Sequence, residues 1–270
     1  MQHKYLAPGK LNLGLKIVGK KVDGYHLLKT IFCLIDLFDE IIIEVTLNTN
    51  DIKLCNHSYQ WSIQDDLAYK AAKLLQKHTN IQYGASITVK KKIPSGSGMG
   101  GGSSDAATVL LALNKLWNIN LSKDELINLG MKLGADVPFF IYGKNAFAEG
   151  VGEILSSITI PKSFFVLVIP NFGISTKDIF TNFTFNNNKI DPNDITTEYL
   201  LTTLENDLEP IARKLNSQLN HIFTELKKYG NPVMTGSGST IYLRYDDINT
   251  AKKVAHELET KYNSFLVRGL

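Results

Sequence analysis

The sequence predicts an α+β protein in two domains, and three observations carry that reading. Its 270 residues, at roughly 150 per domain, correspond to about 1.8 domains. Runs rich in Ile, Val, Phe and Thr, which favour strands, are mixed with Ala- and Leu-rich stretches that favour helices. The hydrophobic share of 44% beside 20% charged residues supplies enough apolar surface for a core and excludes wholesale disorder.

Residues 11–18 read as a strand, with 19–24 as the turn after it, and 27–35 and 39–47 read as two further strands. Asp65 and Asp66 precede a helix from residue 67, where acidic groups meet the positive helix end. Residues 85–91 alternate as a strand. Residues 105–117 form a helix almost without polar groups, the mark of a buried helix. Ser122 and Glu125 make a capping box that opens another helix, ending near Gly134. The continuous apolar run 164–169 before Pro170 is a buried strand. Residues 182–194, rich in Asn, are a surface loop. Helical patterns then cover 197–204, 210–229 and 250–262, with a strand at 239–245. The domain boundary falls between Gly152 and Pro161, giving domains 1–156 and 157–270.

The charge sum, 29 minus 26, is +3, too small to argue for a nucleic-acid partner. Only Arg213, Arg244 and Arg268 are arginines, so 26 of the 29 cations are lysines. A phosphate-bearing ligand therefore depends mainly on backbone amides, helix ends and lysine rather than on guanidinium forks. Cys33 and Cys55 have no C-x-x-C partner, which argues against a disulfide framework or a zinc site and fits a reducing cytosol. The first ten residues hold no apolar core of a secretory signal, and no run is long enough to span a bilayer, so the expectation is a soluble cytoplasmic protein without a membrane partner.

Five of the 20 glycines lie between Gly96 and Gly102, at the junction of a strand and a helix. Such density lets backbone amides approach a ligand closely, and the helix end adds positive potential, which together suit an oligophosphate. A P-loop requires a Lys after its glycines, which is missing here. Gly96-x-Gly98-x-x-Gly101 does satisfy the dinucleotide fingerprint. The second strand and its acidic residue about 20 positions on are missing, because that stretch begins another helix. Lys90, Lys91 and Lys92 read either as a solvated strand edge or, for Lys91, as an approach to the nucleotide.

The glycine segment resembles the second signature of the galactokinase–homoserine kinase–mevalonate kinase–phosphomevalonate kinase (GHMP) superfamily. Ala7-Pro8-Gly9-Lys10-Leu11-Asn12 is similar to its N-terminal signature, and Met234-Thr235-Gly236-Ser237-Gly238-Ser239-Thr240 to its C-terminal glycine loop. The segments Asp23-Gly24-Tyr25-His26, Gly134-Ala135-Asp136-Val137-Pro138, Glu149-Gly150 and Asn206-Asp207-Leu208-Glu209-Pro210 resemble a branch whose acceptor is a cytidine-diphosphate-linked methylerythritol.

The resemblance implies a ribosomal-protein-S5-domain-2-like N-terminal domain and a ferredoxin-like C-terminal domain, with the active site in the cleft between them. It implies transfer of the ATP γ-phosphoryl group to the C2 hydroxyl of that acceptor, with Mg²⁺, in the non-mevalonate isoprenoid precursor pathway. ATP is expected on Pro94, Ser95, Gly96, Ser97, Gly98, Met99, Gly100, Gly101, Gly102, Ser103 and Ser104, with Lys91 alongside. Lys10 and Asp136 are the expected catalytic residues. Asn12, Tyr25, His26, Thr176 and Phe180 are expected to bind the acceptor, with Phe183 or Phe185 as substitutes for Phe180.

Taken alone, Lys10 also reads as a solvated cation, Asp136 as a turn or cap residue, and Tyr25-His26 as core packing. Asp66 stands where the family often has Asn near the adenine, and a carboxylate only accepts hydrogen bonds. Ser104 is the one protein ligand named for Mg²⁺. Three other readings remain: another kinase of the superfamily, a non-catalytic nucleotide- or nucleic-acid-binding module, and a nicotinamide-dependent oxidoreductase.

Overall fold

The computed structural model describes residues 1–55, 62–185 and 190–270, which form two compact units interleaved along the chain. The first unit comprises residues 1–9, 37–95 and 100–144; the second comprises 10–36, 96–99 and 145–270. Two long strands, β1 (Gln2–Lys20) and β2 (His26–Thr46), pair with each other and contribute residues to both.

In the first unit, β3 (Ile52–Cys55) runs parallel to β4 (Gly84–Lys90), and β4 pairs antiparallel with residues 40–46 of β2. Ile41, Ile43 and Ile87 are fully buried on this sheet. Helix α1 (Leu67–Thr79) begins where the Asp66 side chain accepts a hydrogen bond from Ala68 N at 2.8 Å. It packs on α2 (Gly101–Leu116), whose Val109, Leu110 and Leu113 are fully buried. Burying an aliphatic side chain of that size contributes about 1.5–3 kcal/mol. The helices α3 (Lys123–Gly130) and α4 (Val137–Tyr142) complete the layer. The Ser122–Glu125 capping box at the start of α3 forms as the sequence predicts.

In the second unit, residues 30–32 of β2 pair with β5 (Ala146–Glu149), which pairs with β6 (Ile154–Ser157). A second sheet contains β7 (Phe164–Ile169), followed by α5 (Thr176–Thr181), α6 (Thr197–Thr203), α7 (Glu209–Leu215) and α8 (Ser217–Leu226). It is completed by β8 (Pro232–Met234), β9 (Ile241–Tyr245), α9 (Ile248–Glu259) and β10 (Asn263–Arg268). The order β10-β7-β9-β8 is antiparallel throughout, the ferredoxin-like arrangement that the sequence resemblance implied. Every residue of β7 is buried, because both its edges are paired and helices cover it.

Three elements differ from the sequence reading. The two strands expected at 27–35 and 39–47 are one strand, β2, whose acidic residues are satisfied in place. The Asp39 carboxylate accepts the backbone N–H groups of Lys92 and Ile93, and Asp36 accepts from Arg268 N at 2.7 Å. Helix α2 starts four residues earlier than expected, at Gly101. A Cβ there would stand 2.9 Å from Ile93 Cγ2 and 3.0 Å from Lys91 Nζ, so close packing rather than helix propensity sets this end. The helical run expected at 210–229 is broken at Asn216, whose side chain caps α8 by accepting Leu219 N at 3.0 Å. Part of the loop expected at 182–194, residues 186–189, lies outside the described residues.

Candidate active site

The second unit gathers three of the segments that the sequence singled out. Lys10 and Asn12 sit two apart on β1 and share a strand face. Both are only 3% exposed, and Lys10 Nζ donates to Asn12 Oδ1 at 2.6 Å while lying over the Phe32 ring, 5.2 Å from its centroid. Lys10 N donates to Met99 O at 3.0 Å, which ties the strand to the first part of the glycine segment. The C-terminal glycine loop closes on both. Asn12 N donates to Thr235 Oγ1 at 2.9 Å, and Thr240 N donates to Ser97 O at 3.2 Å. A side chain at Gly98 is excluded: its φ is +79°, and a Cβ would stand 2.6 Å from the Thr235 carbonyl oxygen. Asn206 supports this loop from behind, donating to Met234 O at 2.7 Å and Gly236 O at 2.8 Å.

His26 opens β2 and stacks on Phe180, with ring centroids 5.1 Å apart at 27°. Phe183 meets it edge-on and Phe185 at a tilt, so all three phenylalanines considered from sequence surround this imidazole. Burial, aided by the Lys20 charge, lowers the His26 pKa, so the ring is neutral at neutral pH with one donor and one acceptor nitrogen. Tyr25 is 65% exposed and presents an uncovered ring. At 5.1 Å, no base fits between His26 and Phe180 in this arrangement. Thr176 Oγ1 lies 2.7 Å from Ser237 Oγ, joining the start of α5 to the C-terminal glycine loop.

The first unit holds the other half of the glycine segment. Gly100 takes a left-handed conformation, with φ of 71°, and α2 follows directly. In its first turn, Ser104 Oγ is buried without a hydrogen-bond partner, and so is Ser97 Oγ in the second unit. Such unpartnered hydroxyls fit oxygen ligation of a phosphate or a hard cation. Among the described residues, no group of three or more His, Cys, Asp or Glu could hold a metal ion. Asp136 stands at the N-cap position of α4, followed by Val137 and Pro138. The turn before it runs beside the first turn of α2, since a Cβ on Gly134 would lie 3.8 Å from Ser103 Oγ.

Lys91 lies beside Gly101 and is met by two acids. Its ammonium pairs with Asp39 and donates to Asp105 Oδ2 at 2.7 Å. Burial opposes its charge, but Asp105 and Asp39 outweigh that and raise its pKa. Burial also drives the Asp105 carboxyl up, and the nearby Asp39 charge adds to this against the pull of Lys91. Residues 91 to 93, β2 and α2 are thereby clamped at the root of the glycine segment. Sequence reasoning passed over Asp39 and Asp105, although each is an acid inside a strongly apolar stretch, the signal that could have revealed them.

Residues 66–144 match the GHMP kinases N terminal domain family, and residues 197–264 match the GHMP kinases C terminal family. A 4-diphosphocytidyl-2-C-methyl-D-erythritol kinase of Chromobacterium violaceum is 41% identical to the chain, over 99% of the chain and 95% of its own length. A Neisseria gonorrhoeae protein of the same name is 43% identical over 98% of the chain and 93% of its own length. The chain belongs to this kinase family. A crystal structure of a 4-(cytidine 5'-diphospho)-2C-methyl-D-erythritol kinase, 32% identical, superposes with a TM-score of 0.85 over 99% of both chains. The Methanococcus jannaschii mevalonate kinase, 18% identical, superposes with a TM-score of 0.73 over 100% of this chain and 99% of its own, a likeness of fold alone. Like the wider GHMP kinases, the family is α+β with two domains, and the protein is a phosphotransferase that uses ATP. No helix among the described residues is long and apolar enough to cross a membrane.

Proposed function

We propose that the protein transfers the γ-phosphoryl group of ATP to the 2-hydroxyl of 4-diphosphocytidyl-2-C-methyl-D-erythritol, forming the 2-phosphate and ADP. It would do so in the cytoplasm, in the non-mevalonate route to isoprenoid precursors. The observation that carries this reading is the seating of Lys10, Asn12, residues 96–99 and the C-terminal glycine loop around one another in the second unit, in a chain 41–43% identical to two kinases of that name.

In the proposed reaction the acceptor oxygen forms a bond to Pγ, the bond from Pγ to the β–γ bridging oxygen breaks, and ADP leaves. Asp136 takes the hydroxyl proton, and Lys10 stabilises the charge that develops on the transferred oxygens. The amides of residues 95–102 hold the phosphates, with Pro94 leading into the loop and Ser103 and Ser104 at the helix end. The unpartnered Ser104 hydroxyl fits a ligand to Mg²⁺, which when bound neutralises phosphate charge. Lys91 acts as the clamp of this segment, since its charge is already met by two carboxylates. Asp66 serves as the cap of α1 rather than a direct donor to adenine.

For the acceptor, Tyr25 supplies an exposed ring for cytosine, and the neutral His26 offers one donor and one acceptor to the base edge. Phe180 backs His26, while Thr176 and Ser237 add hydroxyls.

The test is ADP release from MgATP with the cytidylyl methylerythritol acceptor, compared with homoserine and mevalonate. Turnover with the first alone is expected. Equal turnover with all three, or none with the first, overturns the assignment.

A further inference from the structure

Around Lys10 the hydrogen bonds form a chain with only one consistent polarity. Lys10 and Asn12 are 3% exposed, and Thr30 and Thr235 are fully buried, so protein groups must satisfy these atoms. The Thr30 hydroxyl lies 2.6 Å from the Gly14 carbonyl oxygen, which can only accept, so its single proton is committed there. Thr30 Oγ1 is then left as an acceptor. Asn12 must turn its NH₂ toward it, and Nδ2 stands at 2.9 Å. That orientation brings the other end of the amide, Oδ1, to 2.6 Å from Lys10 Nζ. The opposite orientation would set an NH₂ against an ammonium and the amide oxygen against a hydroxyl oxygen with no proton to give. Thr235 closes the chain: its Oγ1 accepts Asn12 N at 2.9 Å and lies 3.4 Å from Asn12 Oδ1.

We propose that Thr30 is a positioning residue for phosphoryl transfer: its hydroxyl sets the polarity of the Asn12 amide, and Asn12 in turn aims the Lys10 ammonium. This rests on the role given to Lys10 above. Thr30 acts through Asn12 and has no contact with substrate in this account. The same chain recasts Asn12, expected from sequence to bind the acceptor, as the residue that holds Lys10. Of its side-chain groups, Oδ1 is taken by Lys10 and one N–H by Thr30.

The experiment compares Thr30→Val, which keeps the volume and loses the hydroxyl, with Thr30→Ser, which keeps the hydroxyl. Both are also made in an Asn12→Ala background, with kcat and KM measured for MgATP and for the acceptor. Thr30→Val should lower kcat about tenfold to a hundredfold, the scale of a slightly misplaced catalytic group, while the KM for MgATP moves less than about threefold. Thr30→Ser should recover most of the loss, and in the Asn12→Ala background Thr30→Val should cost less than about twofold.

The proposal is overturned if Thr30→Val keeps the wild-type kcat, if folded Thr30→Ser is as slow as Thr30→Val, or if the loss persists in full without Asn12. If valine at this position prevents folding, Thr30→Ala is judged by the same three criteria, with the folded fraction read from circular dichroism. Wild-type turnover and the loss in Lys10→Ala are the controls. If either control fails, the reading of Lys10 is at fault; if both hold and Thr30→Val is silent, only the role of Thr30 falls.

Discussion

Lys91 and Lys10 are both lysines at the glycine-rich segment, one in each unit, and their surroundings set them to different work. Lys91 is 15% exposed at its side chain and pairs with Asp39 and Asp105, two carboxylates for one ammonium. Lys10 donates to the neutral amide of Asn12 and lies over the face of Phe32. A carboxylate fixes an ammonium by opposite charge, whereas an amide oxygen fixes it by its dipole. The buried cation met by excess negative charge is thus a structural clamp. Lys10 is oriented by a dipole and by an aromatic face.

The largest effect should come from breaking the clamp. Lys91→Met strands two buried carboxylates, and leaving a buried charge uncompensated costs about 3–5 kcal/mol. A large fall in the urea midpoint at neutral pH checks this; an unchanged midpoint would mean the pair is solvated and the clamp unimportant.

Removing the other lysine should leave folding nearly intact and strike turnover. Lys10→Ala is expected to lower kcat by about 10² to 10³, as for loss of one charge-stabilising donor, with MgATP binding by calorimetry little changed. An equal loss of binding and kcat would show that Lys10 holds the ground state instead.

A sharper test makes one lysine resemble the other. Asn12→Asp places a carboxylate against Lys10 and removes the donor that Thr30 requires. A drop in kcat of about tenfold, without loss of folded protein, is expected, since screening one charge costs on the order of 1–2 kcal/mol at the reacting group; an unchanged kcat would show that the Asn12 amide has no bearing on Lys10.

The smallest effect is the pH dependence of the clamp. The folded-state pKa of Asp105 is raised by burial, so between the ordinary carboxylate pKa and the raised one the native state binds more protons than the unfolded state. That contribution is complete below the unfolded pKa and is lost as pH rises through the folded one. Wild type should therefore lose stability relative to Asp105→Asn on going from pH 5 to pH 8, by at most about 1.4 kcal/mol per pH unit. Parallel stability curves for the two proteins would contradict it.

Much of this was readable in the chain because it is local. Five glycines among seven residues, the Ser122–Glu125 capping box and the apolar run of β7 each encode their own conformation, through left-handed backbone, reciprocal capping and burial. Asp39 was passed over because what an acid does in an apolar run depends on its partners. Its partners, Lys91 and the amides of Lys92 and Ile93, lie more than 50 residues away. The acids around Lys91 were hidden in the same manner, since its neighbours in sequence say nothing of Asp105 across the loop.

The fold class was legible in the sequence alone, and the kind of acceptor through a family resemblance carried by short contiguous motifs. Tertiary structure alone decided which carboxylates meet Lys91 and which way the Asn12 amide turns. Those outcomes depend on partners brought together from distant parts of the chain, where burial forces every polar group to find one.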